Sequence, residues 1–512
     1  MMVEWREQIM KLGIIQIAMA VIYLAVIVGI GLFMGRKVKS SDDFWVGGRS
    51  VGPVATAISY CAAYVSTSAI IGSTSMYYLY GLGYAGLETM LSVLLCSFAI
   101  FIVLGPKMRA LSERLNVVSM SGFLAVRYSS NKLRLLCGIL VAVMMIPYAV
   151  AATKGIGDTL NAVAGIPYTT AIIILCIVAC LYLVTSGYWG VATTDLIQGL
   201  TIAISVIAVA VTVLVATGGI TPVIDYMAVK SPAHLTVSGG LPFLTIVSYA
   251  GVWPFIAFGQ PQLMTKFMGL KDSRTVSSVI RVGIAWMAIF MISLAIIGSC
   301  AFYLFEGQTF ENIDMIVPLT VANYSGTFIS GLFLCGVLAA GLSTLVALVL
   351  TSSSAVAKDI CEDFGGNVTG KKMTPEKSVN ISRVVTGIVL LIVAVVSIDP
   401  PGFVWSLSTL AAGTMGAAFT APVVLGLYWK RATTQGCYAA VIGGAAVSVI
   451  WYLAGFTSIV HSFVPGIVVS FILMVAVSLM TRPMPEELLQ VFYEPGCGSE
   501  KIRAAIEKGE QG

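Results

Sequence analysis

SYCAAYVSTSAIIG (Ser59–Gly72) lies inside a long apolar run, yet Tyr60, Tyr64, Ser66, Thr67 and Ser68 all carry hydroxyls, with Ala and Cys between them. A helix facing only lipid would be built of Leu, Ile and Val. A second apolar segment, YAGVWPFIAFGQPQL (Tyr249–Leu263), holds Pro254, Gly259 and Pro261. Proline removes a backbone donor and clashes with the preceding turn. Non-helical backbone at membrane depth persists only where it is buried in protein or lines a cavity. Both stretches therefore read as interrupted membrane helices, and such interruptions at corresponding places in two halves of a chain mark a transporter's binding site. Close packing by small residues is the competing reading of Ser66–Ser68.

The whole chain agrees with a membrane setting. Of its 512 residues 58% are hydrophobic and only 10% charged, against about 25% charged in soluble domains. A span needs about 20 apolar residues. Thirteen segments qualify, roughly 13–35, 51–79, 84–106, 131–161, 168–187, 190–216, 241–268, 277–304, 326–357, 380–398, 402–428, 435–455 and 458–481. The first is too long for a signal-peptide core and is followed by GRKVK, so it reads as a membrane helix. Nearly all of the 29 Lys and Arg fall on alternate loops, while the opposite side has Arg6, Lys11 and Lys230, and Lys154 lies inside a span. Positive loops stay cytoplasmic, which puts the N-terminus outside and the C-terminus inside a plasma (inner) membrane. The net charge of +5 is then topology, with no nucleic-acid partner implied. The ten Cys sit mostly in apolar runs (Cys96, Cys137, Cys176, Cys180, Cys335) and are expected as free thiols. Two His and no Cys/His cluster argue against a metal enzyme, and no nucleophile–base constellation is visible.

With the first span set aside, the two breaks fall in spans one and six of a five-plus-five arrangement. The expected fold is all-α and polytopic, with thirteen transmembrane helices. An inverted-repeat core (about 51–216 and 241–428) is flanked by one extra N-terminal and two extra C-terminal helices. Residues 1–482 form one transporter domain and 483–512 a short cytoplasmic tail. Asp359–Arg383 reads as a solvated loop, and Glu88 as interfacial.

VGGRSVGP (Val46–Pro53), AAYVSTSAIIG, TTDLIQGL (Thr193–Leu200), FGQPQLMTKFM (Phe258–Met268), VLAAGLSTLVALVLTSSSAVAKDI (Val337–Ile360) and VVLGLYWKRATTQG (Val423–Gly436) resemble the sodium/solute symporter family. The resemblance covers roughly residues 15–480 and implies the LeuT-like fold. YVSTSAIIG, YGLGY and AGIPY are similar to the pantothenate permease branch, and FGQP and KFM to the sodium/proline branch. In this family one sodium sits between the first and eighth repeat helices. The motif match puts its ligands at the carbonyls of Ala62, Val65 and Ala340 and the hydroxyls of Ser343 and Thr344. Sodium is a hard cation that takes oxygen ligands, although such hydroxyls also bond back to their own helix. A second sodium site in some members needs hydroxyls where Val346 and Ala347 stand here, so one sodium per cycle is expected. Asp195, an intramembrane carboxylate, either tunes the sodium path or bonds Thr193, Thr194 or a partner helix.

For the solute, the resemblance points to Tyr64, Ser66 and Thr67 at the first break, with Tyr148, Trp253, Ala257 and Gln260. Tyr148 and Trp253 also fit plain aromatic core, and Gln260 could instead close the helix gap. Tyr64 stands where the proline branch has Asp, and Ala257 where it has an aromatic residue. Lys154 either meets a solute carboxylate or pairs with Asp158 one turn on; pairing with Asp195 looks poor. The implied function is sodium-coupled import of a small carboxylate-bearing solute, pantothenate or a short monocarboxylate, with proline or another amino acid as the alternative. No cofactor besides the coupling sodium is implied. A solute sensor or uncoupled channel is the rival from another class, and proton coupling a third option.

Overall fold

A computed structural model describes residues 14–38, 40–272, 275–310, 312–370 and 373–493, which form helices joined by turns, with one isolated bridge and no strand among them. Several of the counted Lys and Arg, among them Arg6, Lys11 and Lys371, and the tail beyond residue 493 lie outside the described residues.

Among the described residues ten helices are long and apolar enough to cross a membrane, or eleven with the bent pair Phe243–Gly259 and Pro261–Met268 taken as one. The expected thirteen differ from this at two places. Ser68–Leu115 runs for 48 residues and Tyr168–Ala216 for 49. At about 1.5 Å per residue each measures roughly 70 Å, more than twice a hydrocarbon core of about 30 Å. Each contains one glycine with non-helical backbone, Gly81 (φ 83°, ψ −172°) and Gly187 (φ 50°, ψ −140°). A side chain is disfavoured at positive φ, and a Cβ would also meet the His234 backbone at Gly81 and the Phe44 carbonyl at Gly187.

Both expected interruptions are present. Pro53 opens a helix that runs to Tyr64, where Val65 turns extended (φ −87°, ψ 100°). The chain resumes helix at Thr67, wide-turned over Ser68–Ser73 and regular from Thr74. The Ser68 N–H donates to the Ser66 Oγ at 3.1 Å, so Ser66 caps the second half. The other break follows Phe243–Ile256, which accommodates Pro254. A tight turn, Ala257–Gly259, and extended Gln260 (φ −86°, ψ 114°) lead into Pro261–Met268, bent by 48° from the first half. Pro261 at the first helical position needs no N–H partner. The two broken helices meet end to end: the Val51 N–H donates to the Gly269 carbonyl (3.1 Å) and the Lys271 N–H to the Val51 carbonyl (2.8 Å).

Thr327–Ser354 is the central helix, almost wholly buried against Asn131–Ala164 and Tyr168–Ala216. Small residues allow that approach: Gly336 lies on Ser205 and Gly341 on Ile156 and Thr67. Val404–Tyr428 packs beside the second break, Gly416 against Ile256.

The stretch expected as a solvated loop is largely helical. Ala355–Phe364 continues the central helix in wide turns and Gly365–Thr369 follows. Asp359 is buried there because the extension packs on Asn131–Ala164 and lets the Ser119 hydroxyl donate to the carboxylate at 2.6 Å. The nine described cysteines are free thiols.

Candidate ion and solute sites

A helix end leaves its last carbonyls without intrahelical partners, and the break at Val65 places such an end in the protein interior. The Ser343 hydroxyl, on the central helix, lies 3.0 Å from the Ala62 carbonyl and 3.1 Å from that of Ala340. It therefore bonds back to its own helix and also reaches across to the broken one. The neighbouring Thr344 hydroxyl is fully buried and has no hydrogen-bond partner among the described residues. Leaving such a group unmet costs about 1–3 kcal/mol. Freed carbonyls beside an unmet hydroxyl make an oxygen-rich, uncharged nest suited to a hard monovalent cation. Thr67 anchors this region, its hydroxyl donating to the Ala152 carbonyl at 3.0 Å.

Next to the nest is a narrow cavity of about 10 Å³, enough for about one water, whose wall includes Tyr64, Ser66, Ser73, Glu88, Ser92 and Trp253. The Tyr148 ring stands 6.1 Å from that of Trp253, tilted by 33°. Four of the expected solute residues, Tyr64, Ser66, Tyr148 and Trp253, are thus brought together. Tyr148 reaches this wall only through Trp253, and Thr67, Lys154, Ala257 and Gln260 are not on it. Gln260 instead ties the second break to the neighbouring helix Val404–Tyr428: its Nε2 donates to the Ala412 carbonyl at 2.7 Å, and its Oε1 accepts from Gln262 at 3.0 Å.

Glu88 is only 2% exposed, packed inside the protein. It comes about two turns after the interruption at Gly81, on a helix face that meets the first broken helix, and the Ser73 hydroxyl donates to its Oε1 at 3.2 Å.

Two ionic clusters join the helices at other points. Lys266 Nζ donates to Asp195 Oδ2 at 2.7 Å, and the Ser59 hydroxyl donates to the same oxygen at 2.6 Å, with Lys266 and Asp195 side chains 2% and 0% exposed. Asp195 thus bonds partner helices, and the cluster ties Pro53–Tyr64, Tyr168–Ala216 and Pro261–Met268 together. Counting Lys266 as a loop charge was mistaken, because the second half of the broken helix carries it inside the bundle. Lys154 Nζ lies 2.5 Å from Asp158 Oδ2 and 3.2 Å from Asp314 Oδ2. The intrahelical pair was expected. Asp314, which also accepts from the Val404 N–H at 3.3 Å, was not, since nothing local in the sequence links it to Lys154.

The model of the sodium:solute symporter family matches residues 44–444. The chain belongs to this family. Among curated relatives of this symporter, the sodium/pantothenate symporter of Escherichia coli (strain K12) is 29% identical over 465 residues, 88% of this chain and 94% of the relative. The osmoregulated proline transporter OpuE of Bacillus subtilis (strain 168) is 26% identical over 483 residues, 93% and 95% of the two chains. Among solved structures, a Na⁺-coupled sialic acid symporter in a substrate-bound outward-open state superposes with a TM-score of 0.78 at 20% identity, over 92% of this chain and 99% of that one. That likeness gives the fold. Family membership makes the apolar helices those of a multi-pass membrane transporter, with sodium and a small molecule as cargo.

Proposed function

We propose that the protein is a sodium-coupled symporter that imports a small carboxylate-bearing solute by alternating access. Sodium occupies the nest formed by the carbonyls of Ala62, Val65 and Ala340 with the hydroxyls of Ser343 and Thr344. The observation that carries this reading is the extended backbone at Val65 opposite Ser343, with the Thr344 hydroxyl buried and unmet beside it. A cation there holds the first broken helix against the central helix and so shapes the adjoining cavity. Solute enters between Tyr64, Ser66, Tyr148 and Trp253. Its carboxylate is favoured by the positive end of the half-helix that begins after Ser66.

In this reading each long helix is two spans, divided at Gly81 and at Gly187. With the bent pair as one span the count is thirteen, arranged as a five-plus-five repeat with one helix before and two after. The alternating Lys and Arg place the N-terminus outside. The Lys154–Asp158–Asp314 cluster then closes the outer end, and the Ser59–Asp195–Lys266 cluster the inner end. Val346 and Ala347 supply no hydroxyl for a second ion, so one sodium moves per cycle.

Uptake into proteoliposomes tests this, with an inward sodium gradient set against potassium and with labelled pantothenate, pyruvate, acetate, alanine and proline as solutes. Sodium-dependent accumulation of one of them is expected, and its loss in Ser343→Ala. Equal uptake in potassium would remove sodium from the mechanism.

A further inference from the structure

The wall of the solute cavity bears a carboxylate that sodium coupling does not use. Glu88 is 2% exposed, and no ion pair involves it among the described residues. The Ser73 hydroxyl donates to it at 3.2 Å, and Tyr84 stands within reach to donate as well. Tyr64, Ser66, Ser73, Ser92 and Trp253, which share the wall with it, are all uncharged. The cationic clusters lie elsewhere, Lys154 with Asp158 and Asp314 and Lys266 with Asp195. A buried carboxylate without a counter-charge is costly in any protein and more so within a membrane span. Such a group either holds a proton or marks a place where a cation arrives.

The surroundings favour one kind of cation. Tyr77 and Tyr84 stand beside Glu88, their rings 5.9 Å apart. Trp253 and Tyr64 lie on the cavity wall itself. Aromatic faces around an acidic group are the setting in which ammonium ions are held. The same cavity also offers groups for an anion. The Trp253 indole N–H and the Ser92 hydroxyl are buried and have no partner among the described residues. One wall therefore carries a buried carboxyl group, and the rest supplies neutral donors.

We infer that Glu88 is the subsite for a protonated amine of the solute, so that the transported molecule is a compact zwitterion with an ammonium and a carboxylate group. The assignment rests on reading this cavity as the solute site. A purely anionic acid would meet Glu88 as a like charge at close range, whereas a zwitterion would neutralise it.

The test uses the full chain in proteoliposomes and probes matched except for the amine: proline with cyclopentanecarboxylate, alanine with propionate, and pantothenate alone. Sodium-driven currents are recorded for each. The amine-bearing member of at least one pair should drive current where its partner does not. Glu88→Gln should raise the half-saturating concentration of that solute about 10- to 100-fold, the range for a hydrogen bond to a charged group. Sodium-induced thermal stabilisation of purified Glu88→Gln reports that the variant is folded and should match wild type. Three results would overturn the inference: current from pantothenate or the amine-free acids alone, unchanged affinity for the amine-bearing solute in Glu88→Gln, or no response to any amine-bearing probe. Current from amine-free acids that grows on acidification would make Glu88 a proton site instead. Sodium-dependent transport of an amine-free acid leaves the symporter reading standing while this one falls. Currents indifferent to sodium would sink the symporter reading itself.

Discussion

Lys266→Met isolates what the buried pair with Asp195 contributes. In the native chain the Asp195 carboxylate accepts from Lys266 at 2.7 Å and from Ser59 at 2.6 Å, while its second oxygen has no partner among the described residues. Removing the ammonium leaves a carboxylate with 0% exposure held by one hydroxyl. Breaking a buried pair from one side costs about 3–5 kcal/mol, because the remaining charge is uncompensated. The Ser59 bond, worth about 1.5–3 kcal/mol as a hydrogen bond to a charged group, is already present and cannot offset the loss. Asp195→Asn in the same chain removes the stranded charge. The double variant should therefore recover most of the stability, since neutral replacement of a buried pair is often close to neutral. The assay is denaturant unfolding in detergent micelles in sodium-free choline buffer, run on wild type, both single variants and the double. The sum of the single losses should exceed the double loss by about 2–3 kcal/mol. A Lys266→Met chain within about 1 kcal/mol of wild type, or single losses that simply add, would refute the pairing argument.

Thr344→Val removes a buried hydroxyl that has no partner, so melting in sodium-free buffer should be unchanged or higher. The stabilisation that sodium confers should disappear; a variant still stabilised by sodium would show that Thr344 is not a ligand. Gly187→Ala places a side chain at φ 50° against the Phe44 carbonyl. Strain of about 1–3 kcal/mol should lower the melting midpoint measurably, and an unchanged midpoint would contradict the interruption there. Lys154→Met leaves Asp158 and Asp314 facing each other without their shared cation. It should destabilise by about 3 kcal/mol in the same micelle assay, with Asp158→Asn in the same chain restoring part of the loss.

The two breaks were legible because their causes are local. Pro254, Gly259 and Pro261 crowd one apolar segment, and hydroxyl and small residues crowd the other. Ser343 was legible through motif resemblance, and the structure brings its hydroxyl to the Ala62 carbonyl. What joins distant helices left no such trace. Lys266 and Asp195 are 71 residues apart, and Lys154 and Asp314 are 160 apart. A one-dimensional pattern carries no record of which faces meet. Hydropathy treats a Lys near the end of an apolar run as the start of a loop, yet the half-helix Pro261–Met268 carries Lys266 inside. The burial of Glu88 was not legible for a related reason: it depends on the helix that resumes after Gly81 turning this side chain toward Ser73. The helical stretch from Asp359 onward was read as a loop because its residues are polar, although Asp359 itself is buried.

Equilibrium binding of ²²Na⁺ to the purified protein, without solute, tests the central claim most directly. Saturable binding of one sodium per chain, lost in Ser343→Ala/Thr344→Ala while that variant stays folded, is the predicted result. Binding that survives in the double variant, or that saturates at two ions per chain, would contradict the placement of a single sodium between the first broken helix and the central helix.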